Sequence, residues 1–220
     1  SSAASDVYTR QVTVNGMPVS TGMKISAEDK ICIDGKPIKK QEKKILLLFY
    51  KPKGIVCSTR QQRDEITVTE YLNYSVRIYP VGRLDKESEG LLLLTNEGDL
   101  VNRIMKAGNY HEKEYQVTVN KTVTEEFIRG MSGGVPILDT VTRPCKVTKT
   151  GKNSFQIILT QGLNRQIRRM CEYFDYKVVT LKRVRIMNLY LDGLAEGEYR
   201  EIRPEERKKL EEMLSSKRTE

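Results

Sequence analysis

One carboxylate beside an arginine, on a loop bounded by glycines, is the first place where this sequence could carry chemistry. The segment is Gly82-Arg83-Leu84-Asp85-Lys86-Glu87-Ser88-Glu89-Gly90, and it runs directly into Leu91–Leu94 and Thr95. A loop anchored on a buried strand holds a catalytic group in fixed geometry, and an aspartate there can act as nucleophile or base. The same residues also suit an ordinary charged turn capped by Asp85.

A second segment, Gly162-Leu163-Asn164-Arg165-Gln166-Ile167-Arg168-Arg169-Met170-Cys171, supplies the opposite charge. Asn164 is a favoured helix N-cap. Ile167, Met170, Cys171 and Phe174 then recur at helical spacing as an apolar stripe, which puts Arg165, Arg168, Arg169 and Glu172 on the other face. Between residues 160 and 185 there are seven cations against two anions. That density points to a phosphate-binding surface, the plainer alternative being a solvated helix face.

The composition agrees. Lys and Arg outnumber Asp and Glu by 38 to 29, for a net charge of +9, and such an excess favours a polyanionic partner through counterion release. The four cysteines, Cys32, Cys57, Cys145 and Cys171, form no Cys-x-x-Cys pair. Neither a zinc site nor a disulfide framework is indicated, and reduced thiols in a cytoplasmic protein are expected. With His111 the only histidine, most metal and Ser-His-Asp chemistry is set aside. No apolar run approaches the ~18 residues that span a bilayer. The chain opens Ser1-Ser2-Ala3-Ala4-Ser5 without a methionine, as a trimmed fragment would.

The elements that must position these groups can be read in outline. Val12 and Val14 before Asn15-Gly16, and Ile31 and Ile33 before Asp34-Gly35, predict short strands with tight turns. The lysine-rich stretch 36–44 (Lys36, Lys39, Lys40, Lys43, Lys44) reads as a linker, giving a small piece over residues 1–40 and a main body over 41–220. Ile45–Tyr50 and Leu91–Leu94 suit buried strands, with Lys51-Pro52-Lys53-Gly54 turning the chain after the first. Asp99 should cap a helix carrying Leu100, Val101, Ile104 and Met105, ended by Gly108. Residues 113–119 alternate as a strand, with Lys113, Tyr115, Val117 and Val119 on one face. Thr122 and Glu125 resemble a capping box for a helix through Phe127, Ile128 and Met131, closed by Gly133-Gly134. Further strands are expected at 154–160 and 178–186. A last helix should begin at Pro204 with Leu210, Met213 and Leu214 as its apolar stripe. Strands and helices alternate without a βαβ rhythm or a Gly-rich phosphate loop, which indicates an α+β fold.

Four of these segments, in order, resemble the motifs of single-chain ribosomal RNA pseudouridine synthases, the RsuA/RluB/RluE/RluF family, and especially its RluF and RluB type acting on large-subunit RNA. They are Lys51-Pro52-Lys53-Gly54, Gly82-Arg83-Leu84-Asp85, Lys113 with Tyr115, and Asn164 to Met170. The resemblance implies a catalytic core with a mixed, largely antiparallel sheet flanked by helices. Val12 to Ile38 is similar to the closing strands of the small RNA-binding domain that precedes this core, truncated here of its opening helices. The implied catalytic residues are Asp85, its guanidinium partner Arg168, and Tyr115, which packs on the target base. Leu181 would line the pocket, Arg83 would hold the opened RNA, and Lys113, Arg165 and Arg169 would contact substrate. Substrate and product are isomers, so no redox cofactor, energy donor, nucleotide or metal is required. The target uridine must leave its stack to be reached.

Other readings are a non-catalytic ribosome-assembly factor using the same basic surface, a DNA-binding protein, or a hydrolase pairing Asp85 with Glu87 or Glu89. Transfer RNA is an alternative substrate to ribosomal RNA. A monomer without membrane association is expected.

Overall fold

Two dipeptides shape the first part of the chain. Asn15-Gly16 joins β1 (Val12–Val14) to β2 (Met17–Pro18), and Asp34-Gly35 joins β3 (Ile31–Ile33) to β4 (Lys36–Pro37). All four turn residues have positive φ, as the turn that matches strand twist requires. The computed structural model describes residues 11–26, 28–38, 43–58, 64–106 and 110–215. It divides into two compact units, residues 1–43 and 44–220. The first holds a four-stranded antiparallel sheet of order β2-β1-β3-β4.

The second unit is built on β5 (Leu46–Lys51), buried at every position, and β7 (Glu89–Thr95), which pairs with it antiparallel. Strands buried on both faces read as continuous apolar runs rather than alternating ones. One face packs on α1 (Val68–Leu72) through Leu47, Phe49, Leu92 and Leu94. The other packs on α2 (Gly98–Met105) and α5 (Pro204–Ser215) through Leu46, Leu48, Leu91 and Leu93. Short β6 (Tyr79–Pro80) and β15 (Tyr199–Glu201) add to this half.

The other half of the sheet alternates, as a half-covered sheet should. It comprises β8 (Lys113–Val119), β11 (Lys146–Gly151), β12 (Ser154–Leu159) and β13 (Val178–Ile186), with β14 (Leu189–Tyr190) paired to β13. Val117, Val119, Phe155 and Ile157 point into a core closed by α3 (Glu125–Gly133) and α4 (Gln166–Tyr173). A hairpin of β9 (Pro136–Ile137) and β10 (Thr140–Val141) lies between α3 and β11 in sequence.

The main order is β11-β12-β8-β13-β7-β5-β15, nine strands in all with β6 and β14. Among the described residues every strand pair is antiparallel except β13 with β7, which meet in parallel at Lys182↔Glu89 and Arg183↔Gly90. At this seam a Cβ on Gly90 would lie 2.2 Å from the Arg183 carbonyl oxygen, and Gly90 has φ +109°. Only glycine lets the two half-sheets close.

Some local expectations are corrected. Helix α2 is capped at Glu97, not Asp99, because the Glu97 backbone is extended and its carboxylate is taken by Arg207 at 2.7 and 2.9 Å. Asp99 sits in the first turn, where a negative charge suits the helix dipole. Helix α3 is capped by the hydroxyl of Thr124, which accepts from the Phe127 N–H, because the fully buried Val123 fixes the chain's entry there. Thr122 instead offers its carbonyl to the Tyr176 hydroxyl. In α5 Leu210 is buried and Leu214 packs on the same cluster, whereas Met213 is 38% exposed. The stop expected at Gly108 lies outside the described residues.

Candidate active site

The loop from Val81 to Ser88 connects β6 to β7 and is pinned from several directions. The buried Lys51 ammonium donates to the carbonyls of Pro52 at 2.7 Å and Ser88 at 2.9 Å. Gly54 N–H donates to the Lys86 carbonyl, and Leu84 N–H reaches the Cys57 sulfur at 3.4 Å. The Arg183 guanidinium bonds the Leu91 carbonyl at 2.7 Å and the Arg83 carbonyl at 3.5 Å. Inside the loop, Ser88 N–H closes a turn on the Asp85 carbonyl. These bonds give the Lys-Pro-Lys-Gly segment a physical role: it holds the backbone on either side of Asp85 without touching the carboxylate. Burial presses the Lys51 pKa down to about 8, Arg183 adding to the effect and Cys57, Asp85 and Glu89 opposing it. Burial likewise raises the Cys57 thiol.

Helix α4 brings the second set of residues. Asn164 is not its cap. Arg165 occupies that position with a left-handed backbone, φ +49°, and the Gln166 side chain folds back to accept the Leu163 N–H. Asn164 instead binds Arg169 through both its carbonyl and its side-chain oxygen. Arg168 turns inward from the polar helix face on which its spacing placed it: it is buried, 8% exposed, and reaches the Ser88 hydroxyl at 3.3 Å and the Glu87 carbonyl at 3.4 Å. Glu87 also forms the ion pairs here, with Arg165 at 3.6 Å and Arg168 at 4.0 Å. The Asp85 carboxylate has no hydrogen bond or ion pair among the described residues, so Arg168 reaches the loop that carries Asp85 but is not seated on the carboxylate.

Strands β8 and β13 form the third wall. Tyr115 and Arg183 are register partners, Tyr115 9% and Arg183 3% exposed, with Leu181 two residues before Arg183 on the same face. Burial, aided by Arg183, lowers Lys113 to about 8. Its ammonium is 3.5 Å from the His111 carbonyl.

These walls enclose a cavity of about 610 Å³ lined by Cys57, Arg83, Asp85, Lys113, Tyr115, Arg165, Arg168, Leu181 and Arg183, among others. That size lies in the range of small-molecule sites. Of the residues expected from sequence only Arg169 stays outside it. Two residues were missed as site groups. Lys51 lay within a quoted motif, and Arg183 alternates with Leu181, so strand periodicity could have found it. The arrangement offers a carboxylate free to engage a ligand, a flat aromatic, an apolar wall and several cations.

Residues 45–173 match the family described as RNA pseudouridylate synthase. A dual-specificity RNA pseudouridine synthase, RluF, of Salmonella typhi is 51% identical over 197 residues, covering 89% of this chain and 68% of its own. The Escherichia coli K12 protein of the same name is 50% identical, covering 91% and 70%. Ribosomal large subunit pseudouridine synthase B of Bacillus subtilis is 34% identical, covering 91% and 85%. A crystal structure of a pseudouridylate synthase superposes with a TM-score of 0.74 at 31% identity, over 91% of this chain and 89% of that one.

Proposed function

The chain belongs to the RNA pseudouridylate synthase family, and from that premise we propose that it isomerises a uridine of large-subunit ribosomal RNA with Asp85 as the essential carboxylate. The reading is carried by one observation: among the described residues the Asp85 carboxylate has no hydrogen bond or ion pair, and it lines a cavity shared with Tyr115, Leu181, Arg168 and Arg183. Support for the RNA class comes from the large-subunit enzyme of Bacillus subtilis and the RluF relatives.

The flipped uridine enters the cavity with its base against Tyr115 and Leu181. Flipping costs a few kcal/mol, least in a loop or bulge, so the target lies in such an element. Asp85 acts on the ribose as nucleophile or as base while the base–sugar bond opens. The base turns, carbon 5 bonds to the sugar, its proton passes to solvent with help from Tyr115, and nitrogen 1, freed from the sugar, takes up a proton. Arg168 holds the Asp85 loop through Glu87 and Ser88 and swings to the carboxylate when RNA displaces those contacts. Arg83, Lys113, Arg165 and Arg169 take the flanking phosphates and the opened strand. All of these groups come from one copy of the chain, consistent with a monomer, and work on RNA implies a cytoplasmic enzyme. Residues 1–40 are read as the closing part of a small RNA-binding domain, and 41–220 as the catalytic domain.

The test uses RNA carrying tritium at uridine carbon 5, released only when that carbon bonds to the sugar. Wild type should release tritium from a large-subunit transcript and Asp85→Asn should not, with RNA binding retained in both. Transfer RNA forms the second arm, since the RluF relatives are named dual-specificity enzymes. Release by Asp85→Asn at the wild-type rate would remove the carboxylate from the mechanism.

A further inference from the structure

Next in sequence to His111, a residue of the cavity wall, Tyr110 is covered on one side by a guanidinium. The Arg143 carbon Cζ sits 4.1 Å from the centre of the Tyr110 ring. Arg143 is itself tied to the rim: its backbone N–H donates to the Gln161 side chain and its Nη1 lies 3.5 Å from the Thr160 carbonyl, both residues of the cavity wall. His111, the neighbour of Tyr110, also lines the cavity and anchors its ring on the Ile104 carbonyl at 3.0 Å.

Three features set Tyr110 apart from a surface tyrosine that merely packs. It is 36% exposed although bulky and apolar. Its backbone has φ +51°, a left-handed conformation that costs a bulky residue energy and persists where surrounding structure imposes it. The cavity that the adjoining His111 lines carries cations and amides, Lys106, Lys113, Asn164 and Arg165, which suit phosphate and base edges rather than an apolar partner.

We propose that Tyr110, backed by Arg143, is a stacking platform for an unpaired base next to the flipped uridine. This rests on the reading of the chain as an RNA-modifying enzyme. Flipping a nucleotide breaks the stack on both of its neighbours, and an aromatic face at the mouth restores one of those contacts. The guanidinium on the opposite side of the ring fixes its plane and leaves it rigid for the base. Tyr110 thereby selects for a neighbour with a large π-face, and Arg143 is a positioning residue.

The experiment places 2-aminopurine in turn at each unpaired position beside the target of the responsive transcript and follows fluorescence on binding, with tritium release measured in parallel. Wild type should quench the probe at one flanking position. Tyr110→Asn, which suits a left-handed backbone but lacks the ring, should lose that quench and raise Kd and KM about ten-fold, the scale of one stacked base, with a much smaller change in kcat. Tyr110→Phe should keep both signals. The loss should persist at high salt, unlike that of Lys106→Ala, which acts through phosphate. Tyr110→Asn binding within two-fold of wild type, or no quench at any flanking position, overturns the platform while wild-type tritium release leaves the enzymatic reading standing. Absence of wild-type release sinks that reading instead.

Discussion

Arg183 and Arg185 lie two residues apart on one strand, both buried, and the structure treats them in opposite ways. Arg185 clamps two carboxylates, Glu114 at 2.6 Å and Glu112 at 3.0 Å, and gives a further bond to the Met187 carbonyl. Glu114, on β8, in turn accepts from Gln156 on β12, so the network ties three strands together. Arg183 has no ion pair among the described residues. It spends its bonds on two carbonyls, and its Nη2 is buried without a partner. A register shift between the two in the β8 pairing separates their surroundings. A buried charge with matched partners locks a fold, whereas one left short of partners is costly and marks a place where a ligand completes the set. The cavity wall at Arg183 accepts that cost, and the same strand at Arg185 does not.

The largest way to break this contrast is Arg183→Met. It removes charge from the cavity and frees the Arg83 carbonyl, so kcat/KM should fall about 10²-fold, as when one preorganised donor is lost, while the melting temperature moves by only a few degrees. A loss of stability with activity per folded molecule intact would reverse the assignment.

Arg185→Met should do the converse. Leaving Glu114 and Glu112 without their partner costs about 3 kcal/mol, roughly 10 °C in Tm for a unit of this size, with kcat preserved in the folded fraction. Circular dichroism melts beside tritium release would separate the two outcomes.

The smallest effect sharpens the electrostatics of the cavity. Lys113, lowered to about 8 chiefly by burial, is charged below that pH and neutral above it. Affinity for RNA should weaken several-fold between pH 7.5 and 9, and Lys113→Arg should abolish the dependence because arginine keeps its charge. The sign for stability is opposite. Lys51 and Lys113 lose their protons in the folded state near pH 8 but only near 10.5 when unfolded, so the unfolded chain binds more protons in that window and their burial becomes less costly as pH rises. A flat affinity profile in wild type would remove Lys113 from phosphate contact.

The residues that could be read from sequence were those whose type, spacing and order carry information together. The loop around Asp85, the strand of Lys113 and Tyr115, and the start of α4 were all legible, and the cavity gathers them. Both tight turns of the first unit followed from Asn-Gly and Asp-Gly. Helix caps were legible only in kind. At Asn164, Thr122 and Asp99 a suitable side chain was present, but the backbone entered the helix one or two residues away, at Arg165, Thr124 and Glu97. The burial of Lys51, Arg168 and Arg183 was less legible for a different reason. Long cations are almost never buried, so composition argues against their turning inward, and only the alternation of Arg183 with Leu181 and the family motif holding Arg168 pointed the other way. Their burial depends on carbonyls of a loop 30 to 100 residues away along the chain.

The parallel seam between β7 and β13 has a consequence in time as well as in space. Glu89 and Lys182 lie 93 positions apart and join two half-sheets that are otherwise built from antiparallel neighbours. Closing so long a segment is paid for in chain entropy before any pairing is gained, so such contacts form late. Asp85 hangs on one side of the seam and Tyr115, Leu181 and Arg183 on the other. A half-folded chain therefore carries the carboxylate but no pocket, and reactivity toward RNA arrives with the last long-range step of folding.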